Sequence, residues 1–182
     1  MSGMIDAAAY DAIETLKNGI DVRIRSIRAD DRERIIEAFR NLEPESIYTR
    51  FFHHKKALSD AELKSATEID FDDVVVLVVT IGKEKNETII AGGRYVAFDA
   101  ADNLRSAEVA FTVEEDYQGQ GLASHLLRHL AHIARQKGIA RFEADVLPHN
   151  KAMLIVFSRC GLPMVKGHEA GNVHVTLTLT KK

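Results

Sequence analysis

The sequence predicts a mixed α/β domain, one mostly antiparallel sheet with a single parallel crossover, flanked by helices. Three observations carry this. Three strand-like runs, "VVVLVVTI", "TIIAGGRYVAF" and "SAEVAFTV", follow one another across short polar turns, the signature of an antiparallel meander. The segment 106–147 reads strand, helix, strand, which closes as a right-handed parallel crossover. The chain has 182 residues, 46% hydrophobic and 28% charged, ordinary composition for one domain with a proper core.

The elements follow in order. Residues 5–17 are expected to form a short amphipathic helix, with Ile5, Ala9, Ile13 and Leu16 on one side, ended at Gly19. This sets an expected N-terminal helical extension, 1–18, before a single domain over 19–182. "DVRIRSI" alternates, with Val22, Ile24 and Ser26 on one face and Arg23 and Arg25 on the other, as in a half-buried strand. Asp30 or Asp31 caps a helix carrying Ile35, Ile36 and Phe39. "PESIYTRFF" begins a short helix at Pro44, and Ser59 or Asp60 caps another through "AELKSATEI". In the meander, the glycine pair 92–93 implies a bulge or a close backbone approach. Helix 119–136 presents Leu122, Leu126, Leu127, Leu130, Ile133 and Ala134 to the core and stops at Gly138. "RFEADVL" is a strand and "NKAMLIVFSRC" a helix with Gly161 as its cap. A short strand near Met164 and "VHVTLTL" complete the order.

Bulk properties exclude several functions. A net charge of −3 gives no electrostatic basis for nucleic-acid or membrane binding. The opening residues lack the basic flank and long apolar run of a secretory signal. The one cysteine, Cys160, fits a reducing compartment and is expected to be an inert thiol; a cytoplasmic location is expected.

Chemistry concentrates at Gln118-Gly119-Gln120-Gly121-Leu122-Ala123, between a strand and a helix. Small residues there let successive main-chain N–H groups converge, and the helix terminus adds roughly half an elementary positive charge. The product is an anion nest. A nucleoside triphosphate loop would need Gly-Lys-Ser/Thr, and no lysine is present. A dinucleotide turn is nearly matched by Gly119, Gly121 and Ser124, with Glu143 where a ribose-binding acid belongs. Glu143, however, falls inside its strand, and the upstream meander is wrong for a doubly wound sheet.

Q-x-x-G-x-A (Gln118, Gly121, Ala123) after "AEVAFTV", followed about thirty residues on by "VLPHNKAMLIVFSRCGL", resembles the GNAT superfamily of acyl-CoA-dependent N-acetyltransferases. "LKNGIDVRIRSIRADD", "ESIYTRFF", "LSDAEL" and "EIDFDD" are similar to the acetyltransferase domain of bacterial Pat-like protein-lysine acetyltransferases. The resemblance covers about residues 16–180. It implies acetyl-CoA as cosubstrate, no metal, and a primary-amine acceptor, a small molecule or a protein lysine. It implies cofactor contacts from Phe111, Val113, Gln118, Gly119, Gln120, Gly121, Leu122, Ala123, Asn150 and Phe157. Strand 109–113 should splay from its neighbour so that pantetheine pairs with its edge, with the Phe111 N–H as donor to the thioester oxygen. Glu108 is the implied catalytic base; read without the resemblance, it is a strand carboxylate paired with Arg94 or Arg105. Many of these enzymes carry a tyrosine where this chain has Phe157, which cannot donate a proton. That departure keeps a catalytically silent acyl-CoA-binding module open as the alternative.

The remaining features have plainer readings. His53-His54-Lys55-Lys56 reads as an exposed loop, and His125, His129 and His132 as one solvated helix face. Glu68, Asp70, Asp72 and Asp73 form an acidic rim that would favour a cationic acceptor if it lined the entrance.

Overall fold

The computed structural model describes residues 3–180. One eight-stranded sheet runs in the order β1-β2-β3-β4-β5-β6-β8-β7. Its strands are β1 (Asp11–Thr15), β2 (Asp21–Ser26), β3 (Val74–Ile81), β4 (Thr88–Asp99), β5 (Arg105–Val113), β6 (Arg141–Val146), β7 (Met164–Glu169) and β8 (Asn172–Thr178). The helices are α1 (Arg32–Asn41), α2 (Pro44–Phe51), α3 (Asp60–Thr67), α4 (Leu122–Gln136) and α5 (Lys151–Ser158). Every pair is antiparallel except β5 and β6, joined through α4. The expected meander, crossover and short strand at Met164 are all present.

The β-branched run of β3 serves two faces. Val75, Leu77 and Val79 join the main core with the α4 stripe, while Val78 packs with Ile27 and Ile89 against Ile35 and Ala38 of α1. All six α4 residues assigned to the core are buried. Truncating wholly buried Leu130 to alanine would cost about 2–5 kcal/mol in lost transfer energy and cavity formation. α4 itself starts at Leu122, three residues later than its sequence pattern suggests.

The N-terminal helix is not formed. Residues 7–9 make one 3-10 turn capped by the Asp6 side chain, and 11–15 are strand β1, paired along its length with β2. Ile13, assigned to an apolar helix face, is 65% exposed. Main-chain bonds to the edge of β2 and the Arg23–Asp11 ion pair (2.6 Å) outweigh the helical propensity of the alanines. The bulge lies at Ile90, between the pairs Val79–Ala91 and Thr80–Ile89, rather than at the glycines. The close approach is at Gly93, where a methyl would stand 3.0 Å from the Phe111 ring and 3.1 Å from Leu130.

Arg25 also departs from its expected solvent face. It is 2% exposed and bonds Asp31 at 2.7 and 2.8 Å and Glu87 at 2.7 Å. Asp31 precedes α1 but does not cap it with its side chain, which is committed to Arg25 and to the Arg28 N–H (2.7 Å). Ser59 does cap α3, accepting from the Glu62 N–H at 3.1 Å. α5 ends at Ser158 with Arg159 as its cap; Gly161, at φ 80°, lies in the turn beyond.

Candidate functional site

β5 and β6 are paired only from Ser106–Arg141 to Glu108–Glu143 and then part. The direction of the β5 main chain beyond that point follows from its ladder. The Glu114 N–H donates to Ile90 O (3.0 Å), so even-numbered β5 residues bond β4. The Arg105 carbonyl accepts from the Ala140 N–H (2.7 Å), so odd-numbered residues face β6. Past Glu108 there is no β6 partner, and the peptide groups of Val109, Phe111 and Val113 point into the gap. The Val113 carbonyl there accepts from Gln118 Nε2 at 3.1 Å.

At the mouth of this gap stands the glycine turn. Gly119 has φ 78° and Gly121 φ 91°, left-handed values that explain glycine at both positions. The main-chain N–H groups of residues 119–124 have no acceptor among the described residues. Those of Leu122, Ala123 and Ser124 form the first turn of α4, so the helix dipole adds to their positive field.

A groove of about 730 Å³ runs along this edge. Phe111, Val113, Gln118, Gly119, Gly121, Leu122, Ala123 and Asn150 line it. Gln120 and Phe157 do not. The Gln120 side chain turns away to accept from the Asn18 N–H (3.1 Å). Phe157 is 1% exposed and packs edge-on against Phe111, centroids 6.2 Å apart, behind the groove wall. Asn150 caps α5, its Oδ1 accepting from the Met153 N–H at 3.2 Å. Tyr117 is part of the wall.

Lys17, Lys151 and Arg159 also border the groove and were not legible in the sequence, where they look like any surface cation. Lys17 reaches the glycine turn because β1 and β2 form a hairpin; its Cε would lie 3.9 Å from a methyl placed on Gly121.

Glu108 lies on the opposite face of β5 from Phe111, opposite Val96 of β4. It is exposed, and no ion pair reaches it among the described residues; Arg105 instead bonds Asp73 and, at 3.1 Å, Asp99. On the same face lies a second cavity of about 430 Å³, between β3–β5 and α1–α3. It holds Arg50 and Arg94. Burial pushes both guanidinium pKa values down; their mutual proximity pushes Arg50 further, and Glu108 opposes the shift in each. Glu114 also borders this cavity, its carboxyl pKa raised by burial and then by Asp116 and Glu115. Thr112 lines both cavity and groove.

Other singled-out residues sit elsewhere. His125 and His129 are not a solvated face: Glu14 of β1 bonds His129 at 2.7 Å and lies 3.4 Å from His125, whose Nδ1 accepts from Arg128 at 3.1 Å, and Tyr10 bonds His129. Misreading β1 as helix hid that partner. His53 and His54 are exposed as expected, while Lys55 pairs with Glu62 at 2.8 Å. The acidic rim is a tied loop: Asp70 accepts the N–H groups of Asp72, Asp73 and Val74 at 2.9–3.2 Å. None of its four carboxylates lines either cavity.

A parted strand edge beside a nest of main-chain N–H groups suits an extended ligand that carries an anion, and the chain is similar to several known proteins. The sequence profile of the acetyltransferase (GNAT) family matches residues 35–162. Acetyltransferase PA5475 of Pseudomonas aeruginosa is 31% identical over 141 residues, 78% of this chain and 74% of that one. Acetyltransferase Pat of Mycolicibacterium smegmatis is 36% identical over 143 residues, 79% of this chain; the match spans 41% of that relative's length. The solved GNAT domain of S. lividans PAT is 38% identical with a TM-score of 0.84, covering 92% of this chain and 96% of that domain.

Proposed function

Because the chain belongs to the GNAT acetyltransferase family, and is an N-acetyltransferase by that membership, we propose that it moves the acetyl group of acetyl-CoA to a primary amine, with Glu108 as base. The observation that carries this reading is the row of free N–H groups at 119–124 beside the unpaired edge of β5. Bound acetyl-CoA would supply a thioester carbonyl open to attack and a thiolate leaving group. The nest at Gly119–Ser124 would bind its diphosphate, with Lys17, Lys151 and Arg159 adding positive charge along the groove. The Val113 and Phe111 peptide groups would pair with the pantetheine arm as a further strand does. The Phe111 N–H, held by the β-ladder and needing no reorganisation, would donate to the thioester oxygen as negative charge develops there.

Glu108 would take the proton of the incoming ammonium, directly or through one water. It is free to do so, since among the described residues no cation holds its carboxylate in an ion pair. As the N–C bond forms, the C–S bond breaks and the nitrogen's second proton passes through water to the thiolate; a thiol pKa near 8.5 makes this tolerable without a protein acid. Phe157, buried behind the wall, would contribute packing. Within this proposal the primary amine is carried by a small molecule or by a protein lysine.

The test is calorimetry with acetyl-CoA followed by thiol release across an amine panel. Absence of binding would overturn the reading. Binding without release on any amine would favour the second reading, a catalytically silent acyl-CoA sensor, which the phenylalanine at 157 supports. No helix among the described residues is long and apolar enough to cross a membrane. A cytoplasmic location remains part of the proposal, tested by fractionation.

A further inference from the structure

The cavity on the Glu108 face has walls that are largely apolar, from Ile35, Phe39, Phe51, Leu58, Val78 and Ile89. Its lining nevertheless includes two guanidinium groups, Arg50 from α2 and Arg94 from β4. Neither has an ion pair or a hydrogen bond to any described residue; Arg50 rests over the Phe51 ring at 4.9 Å. Two half-buried like charges beside apolar walls are costly, and the charge of Glu108, which acts on both without pairing with either, offsets only part of that. One carboxylate between them would relieve both the desolvation and the repulsion, and guanidinium groups bind carboxylates in paired bonds.

Position adds the rest. On β5, Ala110 stands opposite Arg94, and the next residue on that face is Glu108, opposite Val96. The arginines therefore lie between the apolar interior and the proposed base. Glu62, also on the lining, is taken by Lys55, and Glu114 lies toward the other end of the cavity's β5 wall from Ala110. Thr112 joins the cavity to the groove proposed for the cofactor. A ligand with its apolar body inside and its carboxylate on the arginines would hold an amine, one carbon from that carboxylate, toward Glu108 and the parted strands.

We propose that the acceptor is a free α-amino acid with an apolar side chain, its carboxylate bound between Arg50 and Arg94. The assignment rests on the acetyltransferase reading and narrows its substrate. The α-ammonium loses one proton to Glu108, the nitrogen bonds the acetyl carbon, the C–S bond breaks as the nitrogen's second proton passes through water to the thiolate, and an N-acetyl amino acid and CoA thiol leave. A lysine side chain brings an ammonium with no carboxylate, and so adds positive charge next to the two arginines without neutralising them.

The experiment uses the full chain with acetyl-CoA and measures CoA release from leucine, methionine and phenylalanine, from leucinamide, and from lysine-containing peptides. The free amino acids are expected to react and leucinamide to react far more slowly. Arg50→Gln and Arg94→Gln are expected to raise KM for leucine about 10- to 100-fold, the worth of a lost charged hydrogen bond, with KM for acetyl-CoA unchanged. Arg94→Lys, which keeps the charge, should recover part of the loss. Stabilisation by N-acetylleucine in thermal melts, present in the wild type and lost in Arg94→Gln, reads the site without turnover. Equal rates on leucine and leucinamide, or transfer to lysine peptides alone, would overturn the amino-acid assignment while leaving the acetyltransferase reading intact. A wild-type chain that binds acetyl-CoA but is neither stabilised by N-acetylleucine nor active on any free amino acid would also overturn it.

Discussion

Replacing Glu108 by glutamine tests whether a base is needed and whether this is the one. A lysine-type amine has a pKa of about 10.4, so at pH 7.4 only about one molecule in a thousand is neutral, a cost of roughly 4 kcal/mol. Each unit by which the acceptor's own pKa is lower removes about 1.36 kcal/mol of that cost. A placed carboxylate recovers about 10²–10⁴ in rate. The structure isolates this effect from others. Glu108 is exposed and, among the described residues, in no ion pair, so the variant should melt within about 0.5 kcal/mol of wild type. It does not line the groove proposed for the cofactor, so the KM for acetyl-CoA should not move. The expected result is a kcat lower by about 10²–10³ at pH 7.4, narrowing tenfold per pH unit as the bulk pH approaches the amine's pKa and neutral amine arrives unaided. The assay is continuous thiol release from pH 6.5 to 10 at saturating acetyl-CoA. Unchanged turnover at neutral pH would remove Glu108 from the mechanism. A loss that persists undiminished at high pH would assign it a positioning role instead.

Asp31→Asn should lower stability by about 3–5 kcal/mol, because it leaves buried Arg25 short of a charge. In a chain of this size that is a fall of about 6–20 °C in melting temperature, read by calorimetry. In the wild type, burial raises the Asp31 pKa, but the Arg25 hydrogen bonds and charge outweigh it, so the net folded pKa lies below the unfolded one. Its contribution is therefore complete above about pH 4 and fades as pH falls through the folded pKa. Asn150→Ala removes the α5 cap and should cost about 1 kcal/mol. If Asn150 also holds the cofactor, calorimetry will show weaker acetyl-CoA binding beyond that; unchanged affinity would limit it to capping. The His174 pKa is raised, chiefly by its hydrogen bond to Asp145 (2.9 Å). Its stabilising effect should be full below about pH 6.5 and vanish as pH rises through the folded value; NMR titration of the ring checks it, with a smaller upward shift expected in Asp145→Asn, where Glu143 remains.

What was legible in the sequence has a common physical basis. The α4 stripe, the double-faced β3 run, the caps at Ser59 and Asn150 and the left-handed glycines at 119 and 121 are local patterns. Each is fixed by helix or strand period, or by an allowed φ, within a few residues. Those patterns were enough to place the crossover and the glycine turn, and hence the groove proposed for the cofactor. The parting of β5 from β6 was an expectation of family likeness, not of spacing, because nothing in "AEVAFTV" marks where pairing with a strand about thirty residues away must stop. Strand β1 was misread for the converse reason. Its spacing fits a helix, and only the free edge of β2 made strand pairing the better state. Arg25 looked like a solvent-facing strand residue until α1 and the turn before β4 brought Asp31 and Glu87 to it. Arg50 and Arg94, 44 positions apart, share a cavity because α2 packs over the sheet. Sequence alone thus determined which segments form helix or strand wherever short-range geometry decides. Tertiary structure decided which charges are paired, which are left bare, and where a strand edge opens, because those outcomes depend on groups that only folding brings within a few ångströms.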